Sequence, residues 1–463
     1  MANPTTQEKA LQINIDAARY GTFAEIGAGQ EVARWFFHVG GAAGTVAKTI
    51  SAYDTAVSNA LYGPTERYVS RQRLQAMLDC EYTLLLEGLG SRRGDRSVFF
   101  VLADTVATRS YSRRENGHGW LGIRFQTQAG GPPSDVLVHV YLLDNDPARE
   151  QEALGIVGVN LAHGASYQHS EPKKLVESLM DGVERERVEI DMVKLSGPAF
   201  DGLDSRLACL QLVELGFTDA VMLAADGDVV QPSEVLYKRP LLVERGTFRP
   251  PTKVTLALLE SARERFLREP DLEGEPVVLL EMTLRSLTGE SGIDHRDFVD
   301  RAEVLHALGH HVLISRSPRN FALAEILSRY TRARMGIALG VPTLQAIFSD
   351  EYEDLAGGRL EAIGRLFQRA VKVYVYPTID PASGALVTAE TMPIPESMRY
   401  LYRHLLGNRH LEALETYEPS ILRISTRDVL ARLQRGDGGW ESAVPERVAT
   451  IIKERRLFEE HAT

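Results

Sequence analysis

Apolar and polar positions change rhythm along the chain. Between Phe23 and Leu89 the apolar residues of VARWFFHVGG, VAKTISAYDTAVSNALYG and RLQAMLDCEYTLLLEGL recur at three- and four-residue intervals, which predicts a mostly helical layer. Beyond the polar turn at Gly90 to Arg96, the segments SVFFVLADTVATRS, WLGIRFQTQ and VLVHVYLLD predict neighbouring antiparallel strands. A short helix at Asp146 to Leu154, a strand in IVGVNLAHG, a helix at Pro172 to Arg187 and a strand in VEIDMVKLSG follow. AVMLAADGDVVQPSEVLY reads as a hairpin, because Asp226-Gly227 suits a two-residue turn between apolar runs. From Leu241 the rhythm is regular: strands in LLVERG, VVLLEMTL, HHVLISRS, MGIALG and VKVYVYP alternate with amphipathic helices. That alternation predicts a parallel sheet with helices on both faces and ligands bound past the carboxyl ends of the strands. The fold class expected is therefore α/β, an N-terminal α+β domain followed by a Rossmann-like, mostly parallel doubly wound sheet. The boundaries expected are 1–240 (helical over 20–90, β-rich over 97–240), 241–395, and a helical extension at 396–463.

Composition narrows the function classes. A chain of 463 residues exceeds one ordinary core, and 44% hydrophobic with 25% charged residues is enough to bury several. The net charge of −11 argues against a dedicated nucleic-acid binder, which needs a basic face. Cys80 and Cys209 stand far apart, so neither a disulfide framework nor a thiolate metal site is expected, and a reducing cytoplasm fits. The N-terminal MANPTTQEKALQINID has no apolar core of signal-peptide length, and no apolar run is long enough to span a bilayer. Neither secretion nor membrane insertion is expected.

The candidate chemistry lies at Leu241 to Ala262, where a strand, a turn with Gly246, Pro250 and Pro251, and a helix follow one another. Backbone donors at the start of that helix, with Arg245, Arg249 and Lys253 beside them, suit a phosphate. The segment GTFRPPTKVT resembles the Gly-Ser/Thr-Phe-x-Pro-x-Thr/His-x-Gly-His signature of nucleotidyltransferases, in particular nicotinate and nicotinamide mononucleotide adenylyltransferases. Gly246, Thr247, Phe248, Pro250 and Thr252 match. Val254 stands where the family has Gly, and Thr255 where it has the His that steadies the triphosphate. The chain as a whole also resembles bacterial proteins of similar length labelled nicotinate-nucleotide adenylyltransferase. In SRSPRN, Ser315, Arg316, Ser317 and Arg319 follow a strand and precede a helix, a second place for phosphate oxygens. This segment resembles the Ile-Ser-x-Thr-x-x-Arg motif of the same enzymes, with Arg319 one residue early.

Other motifs resolve to bland readings. His306, His310 and His311 have partly helical metal spacing, but Gly309 ends the helix and no acidic partner has a fixed spacing to them. No metal site is expected there. Asp294, Asp297 and Asp300 suit the start of a helix as dipole-stabilising carboxylates. Glu25-Ile26-Gly27-Ala28-Gly29 resembles the first motif of Rossmann-type methyltransferases, yet a helical region is expected after it instead of a second strand. GGAAGTVAKT lacks the glycine before Lys48 that a P-loop requires, and Asp226-Gly227-Asp228 lacks a nucleophilic aspartate at Ala224. His118, His139, His163 and His169 have no spacing that marks a triad.

The sequence thus points to a nucleotide-binding protein with a nucleotidyltransferase-type site. The resemblance implies ATP with Mg²⁺, a small phosphorylated ligand, and adenylyl transfer to a mononucleotide. In that reading Thr252 and Lys253 serve the transferred group, and Gly246, Thr247, Arg249, Ser315, Arg316, Ser317 and Arg319 hold phosphates. The alternative is a non-catalytic, self-assembling scaffold or nucleotide sensor with a degenerate site, motivated by the missing Gly-His and by aromatic segments such as Trp35-Phe36-Phe37. A homo-oligomer is expected in either case, with no nucleic-acid or membrane partner.

Overall fold

The computed structural model describes residues 3–109, 116–289, 292–368 and 371–459. The chain divides into two compact units, Met1–Thr218 and Asp219–Thr463.

The first unit is built on a six-stranded sheet. Its strands are β1 (Arg19–Gly27), β2 (Val46–Ser51), β3 (Val98–Ala107), β4 (Gly117–Gln126), β5 (Pro133–Leu142) and β6 (Val188–Ser196). They lie in the order β2-β1-β3-β4-β5-β6. β1 is parallel to both neighbours, and the pairs from β3 onward are antiparallel. The helices are α1 (Thr6–Ile15), α2 (Glu31–His38), α3 (Thr55–Tyr62), α4 (Arg71–Arg93), α5 (Pro147–Tyr167), α6 (Pro172–Ser178) and α7 (Ser205–Leu215). The mostly helical layer expected over 20–90 is therefore corrected by two strands. β1 is buried from Gly21 to Ile26, and a short apolar run of that kind has no period to separate strand from helix. Gly27 ends it with φ +81°, and a Cβ there would lie 2.0 Å from the Val106 carbonyl oxygen on β3. Only glycine fits that position.

The strand expected in IVGVNLAHG is instead the middle of α5, which starts at an Asp146 N-cap followed by Pro147. Its apolar positions run all round because the helix is buried almost throughout. Gly155 and Gly158 let α2 approach: a Cβ on Gly158 would come within 2.4 Å of Val32.

The second unit holds an eight-stranded sheet of β7 (Ala220–Leu223), β8 (Val229–Val230), β9 (Leu241–Arg245), β10 (Val277–Thr283), β11 (His311–Ser315), β12 (Met335–Gly340), β13 (Val371–Tyr376) and β14 (Leu411–Ala413). The order is β14-β13-β12-β9-β10-β11-β7-β8. The six strands from β9 to β14 are mutually parallel and, numbered in chain order, run 3-2-1-4-5-6 across the sheet. This is the Rossmann-like doubly wound arrangement, with its switch point between β9 and β12. The helices are α8 (Pro232–Leu236), α9 (Lys253–Phe266), α10 (Leu284–Leu287), α11 (His295–Ala307), α12 (Asn320–Ser328), α13 (Val341–Ser349), α14 (Gly358–Leu366), α15 (Arg399–Gly407), α16 (Thr426–Gln434) and α17 (Glu446–Arg455).

The boundary between units falls at Thr218 and Asp219, ahead of the position expected near residue 240. The reason is the hairpin of β7 and β8, turned at Asp226-Gly227, which extends the second sheet by pairing antiparallel with β11. The C-terminal region is not a separate extension either. β14 supplies the sixth parallel strand, α17 packs on α11 through Val304, Val448 and Ile452, and Val429 and Leu433 of α16 join the same buried cluster with Trp440. The Phe458 N–H closes this contact by donating to Asp300 Oδ2 at 2.7 Å.

Candidate functional site

The loop of residues 246–252 leaves the carboxyl end of β9 at the switch point and ends at the first turn of α9. Thr252 is its buried N-cap: the Thr255 N–H donates to Thr252 Oγ1, and the Thr252 N–H donates to Thr255 Oγ1 at 3.2 Å. This reciprocal capping box occupies the residue that stands where nucleotidyltransferases carry a histidine. Lys253, the first residue of α9, is exposed. Arg249 sets its Nε 2.6 Å from Asp297 Oδ1. Asp297 also pairs with Arg301, whose Nη1 donates to the Thr247 carbonyl at 3.0 Å. The α11 carboxylate expected to stabilise a helix start thus also anchors two arginines against the loop.

Arg245 lies across the next strand. Its Nε and Nη2 donate to Glu281 Oε2 and Oε1 at 2.6 and 3.1 Å, and it also donates to the carbonyls of Ser317 and Pro318. Burial raises the Glu281 carboxyl, while Arg245 and Ser315 hold it down. Ser315 is buried and gives its hydroxyl hydrogen to Glu281 Oε1 at 2.5 Å, so it supports that carboxylate from within the sheet. Ser317 Oγ accepts from the Arg319 N–H at 3.3 Å, and Arg316 is exposed. Arg319 points elsewhere: it donates to Asp350 at 2.9 Å and stacks over Tyr352. These residues line an open cavity of about 640 Å³ together with Glu351, Glu353 and Asp354. The structure therefore groups Gly246, Thr247, Arg249, Thr252 and Lys253 at the loop, ties Ser315 and Ser317 to it through Arg245, and sets Arg319 in an acidic recess.

Around the loop stand four cations, Arg245, Arg249, Lys253 and Arg301, against three carboxylates, Glu281, Asp297 and, within electrostatic reach of Arg301, Asp294. A further carboxyl, Glu244 on β9, is buried, and burial raises it well above the usual range, which favours its neutral form. The loop environment is net positive in a chain of net charge −11. Glu244, Asp297 and Arg301 escaped assignment to the site because what sets them there is long-range: the burial of β9 for Glu244, and the contacts with Arg249 and Thr247 for the other two. The available signals were a glutamate inside an apolar strand and an Asp297/Arg301 pair four residues apart on a helix.

The first unit gathers two further groups of ionisable side chains. At the carboxyl ends of β1 and β3, Glu25 and Asp104 lie opposite each other in the ladder beneath the turn of residues 27–29. A strand does precede this Gly-Ala-Gly turn and a second parallel strand does follow it, contrary to the sequence expectation. Glu25 Oε1 accepts from the Ala33 N–H at 3.1 Å, and burial pushes its carboxyl up to about 7. Asp104 is fully buried and pushed well above the usual range, first by burial and then by Glu25. On the opposite, α4-facing side, His118 Nδ1 lies 3.4 Å from His139 Nε2, and His139 Nδ1 lies 2.6 Å from Asp191 Oδ1. Among the described residues, no group of three or more His, Cys, Asp and Glu is placed to hold a metal ion. Among the same residues, no helix is long and apolar enough to cross a membrane.

No family model matches the chain, and no curated protein matches it in sequence. Similar solved structures include a competence/damage-inducible protein of Agrobacterium tumefaciens, at 15% identity and a TM-score of 0.25, with 35% of this chain and 96% of that one covered. A competence-damaged (CinA) superfamily protein of Enterobacter cloacae is similar at 14% identity and a TM-score of 0.25, with 36% of this chain and 94% of that one covered. A provisionally assigned nicotinate-nucleotide adenylyltransferase of Vibrio parahaemolyticus is similar at 13% identity and a TM-score of 0.20, with 48% and 97% covered.

Proposed function

We propose that the second unit binds a nucleotide at the switch point between β9 and β12, with its phosphates on the loop of residues 246–252 and the start of α9. The observation that carries this reading is the coincidence of the 3-2-1-4-5-6 strand order with a net positive loop at the carboxyl end of strand 1. In doubly wound sheets that crevice is where ligands bind, and a helix start presents free N–H groups to anions. Thr247 would offer its backbone amide, and Arg249 and Lys253 charge; the Gly246 N–H is already given to the Glu281 carbonyl at 3.1 Å, so Gly246 would serve the turn alone. Arg316 would approach from the end of β11. Arg319 would join only after release from Asp350.

Adenylyl transfer from ATP to a mononucleotide is the finer reading, and here the chain is poorly equipped. Thr255 is engaged with Thr252, so no side chain at that position is available to steady a leaving pyrophosphate. Glu281 and Asp297 are committed to arginines, which leaves no ready carboxylate set for Mg²⁺. A metal at this site would be held by the nucleotide's own phosphates. The function supported best is nucleotide binding with slow transfer or none. A pyrophosphate-release assay with ATP and nicotinate or nicotinamide mononucleotide tests the transfer step. Turnover that disappears in Lys253→Ala would establish it, and its absence beside measurable binding leaves a sensor.

The self-assembling alternative has one observation of its own. On α3, Val57 and Leu61 are 50% and 37% exposed, and their four-residue spacing sets them on one helical face; Tyr53, just ahead of the helix, is 74% exposed. Sedimentation velocity over a wide concentration range tests it, with Val57→Lys expected to reduce any association.

A further inference from the structure

His118 and His139 come together through strand register, since β4 and β5 pair Trp120 with His139 and His118 with Tyr141. All four side chains lie on the α4-facing side of the first sheet. The two histidines differ in exposure: His139 is 2% exposed, while His118 is only partly buried. The rings of Trp120 and Tyr141 meet His139 edge-on, with centroids 4.9 and 5.1 Å away, and fix its plane.

The hydrogen bonds set the tautomers. The Asp191 carboxylate accepts from His139 Nδ1–H at 2.6 Å, which leaves His139 Nε2 bare. That bare nitrogen faces His118 Nδ1 at 3.4 Å, so His118 turns its Nδ1–H toward it and carries its lone pair on Nε2. Burial and the neighbouring His139 lower His118 to about 4, so the ring is neutral at physiological pH. Arg67, on the connection into α4, is exposed and near enough to disfavour a second positive charge on His118. A neutral imidazole beside a guanidinium suits an anionic electrophile.

We propose that His118 Nε2 is a nucleophile that accepts a phosphoryl group from a small acyl phosphate, with His139 and Asp191 taking the proton its ring must shed. The Nε2 lone pair forms the N–P bond as the P–O bond to the acyl group breaks, and the carboxylate leaves with that electron pair. Attack alone leaves the His118 ring cationic. Transfer of its Nδ1 proton to His139 Nε2 returns it to neutrality and makes His139 an imidazolium held by Asp191. This is the role that a buried aspartate and histidine play toward a nucleophile in hydrolytic triads, with an imidazole in place of the hydroxyl. Arg67 supplies charge for the phosphoryl oxygens. His139 and Asp191 act through His118 and are positioning residues.

Acetyl phosphate, incubated with the full chain, is the probe. Intact-mass spectrometry is expected to show the addition of one phosphoryl group that is stable in alkali, lost in acid, and absent in His118→Ala. His139→Gln is expected to slow its formation about 100-fold, the usual scale of lost proton-transfer assistance. Its rate would also rise in proportion to hydroxide, because hydroxide must then remove the Nδ1 proton, whereas the unmodified protein supplies its own proton acceptor and is expected not to follow hydroxide. A purely structural role for His139 would not produce that change of profile. No adduct on the unmodified protein, an acetyl adduct in place of phosphoryl, or a phosphoryl adduct that persists in His118→Ala would overturn the proposal.

Discussion

Thr252 and Thr255 show how one pair of residues settles the character of a loop. Each caps the other's backbone N–H, so the start of α9 is locked while its remaining amides stay open. Thr252→Ala is expected to destabilise the second unit by about 1 kcal/mol in urea denaturation, the usual cost of a lost N-cap. Glu25 offers a pH test in the first unit. Its carboxyl is raised from 4.5 to about 7, so the fold favours the protonated form. The stability this contributes is complete below the ordinary carboxyl range, declines from 4.5 upward, and is gone above 7. Thermal melts are therefore expected to fall from pH 5 to pH 8, and Glu25→Gln to flatten the decline and exceed the unmodified protein at pH 8. A profile independent of pH in the unmodified protein would contradict the burial argument. Neither residue's environment is visible in the sequence: Thr255 reads there only as a missing histidine, and the partner of Glu25 lies 79 positions away at Asp104.

Single elements carry the lessons about pattern. The alternation from Leu241 onward was readable because each strand is a short apolar run closed by a helix with its own period. The α5 segment misled because its apolar positions and glycines serve close packing against α2, where the usual polar face of a helix is missing. Gly158→Ala is expected to cost about 1–3 kcal/mol by overpacking against Val32, a loss readable in urea unfolding. The β1 strand misled for a related reason, because a fully covered strand has no alternation. In the candidate site, the loop and its helix were apparent in the sequence. The pairing of Arg245 with Glu281 and of Arg249 with Asp297 was not, since both depend on which strands become neighbours.

For the whole molecule, charge is the feature that separates local from global behaviour. A chain of net charge −11 concentrates four cations around one loop, so anion binding there must weaken as salt screens it. Nucleotide affinity is expected to fall on raising salt from about 50 mM to 300 mM, while the capping contacts of α9 are unaffected. The two units carry separate candidate chemistries, nucleotide binding in the second and histidine nucleophilicity in the first, and each is testable while the other is left intact. Hydrogen exchange of the full chain, followed by mass spectrometry with and without ATP and Mg²⁺, tests the central claim most directly. Peptides covering residues 246–256 and the start of α13 are expected to exchange more slowly with nucleotide, and the effect to vanish in Lys253→Ala. Unchanged exchange at that loop under saturating nucleotide would contradict the account and leave the doubly wound sheet without its proposed ligand.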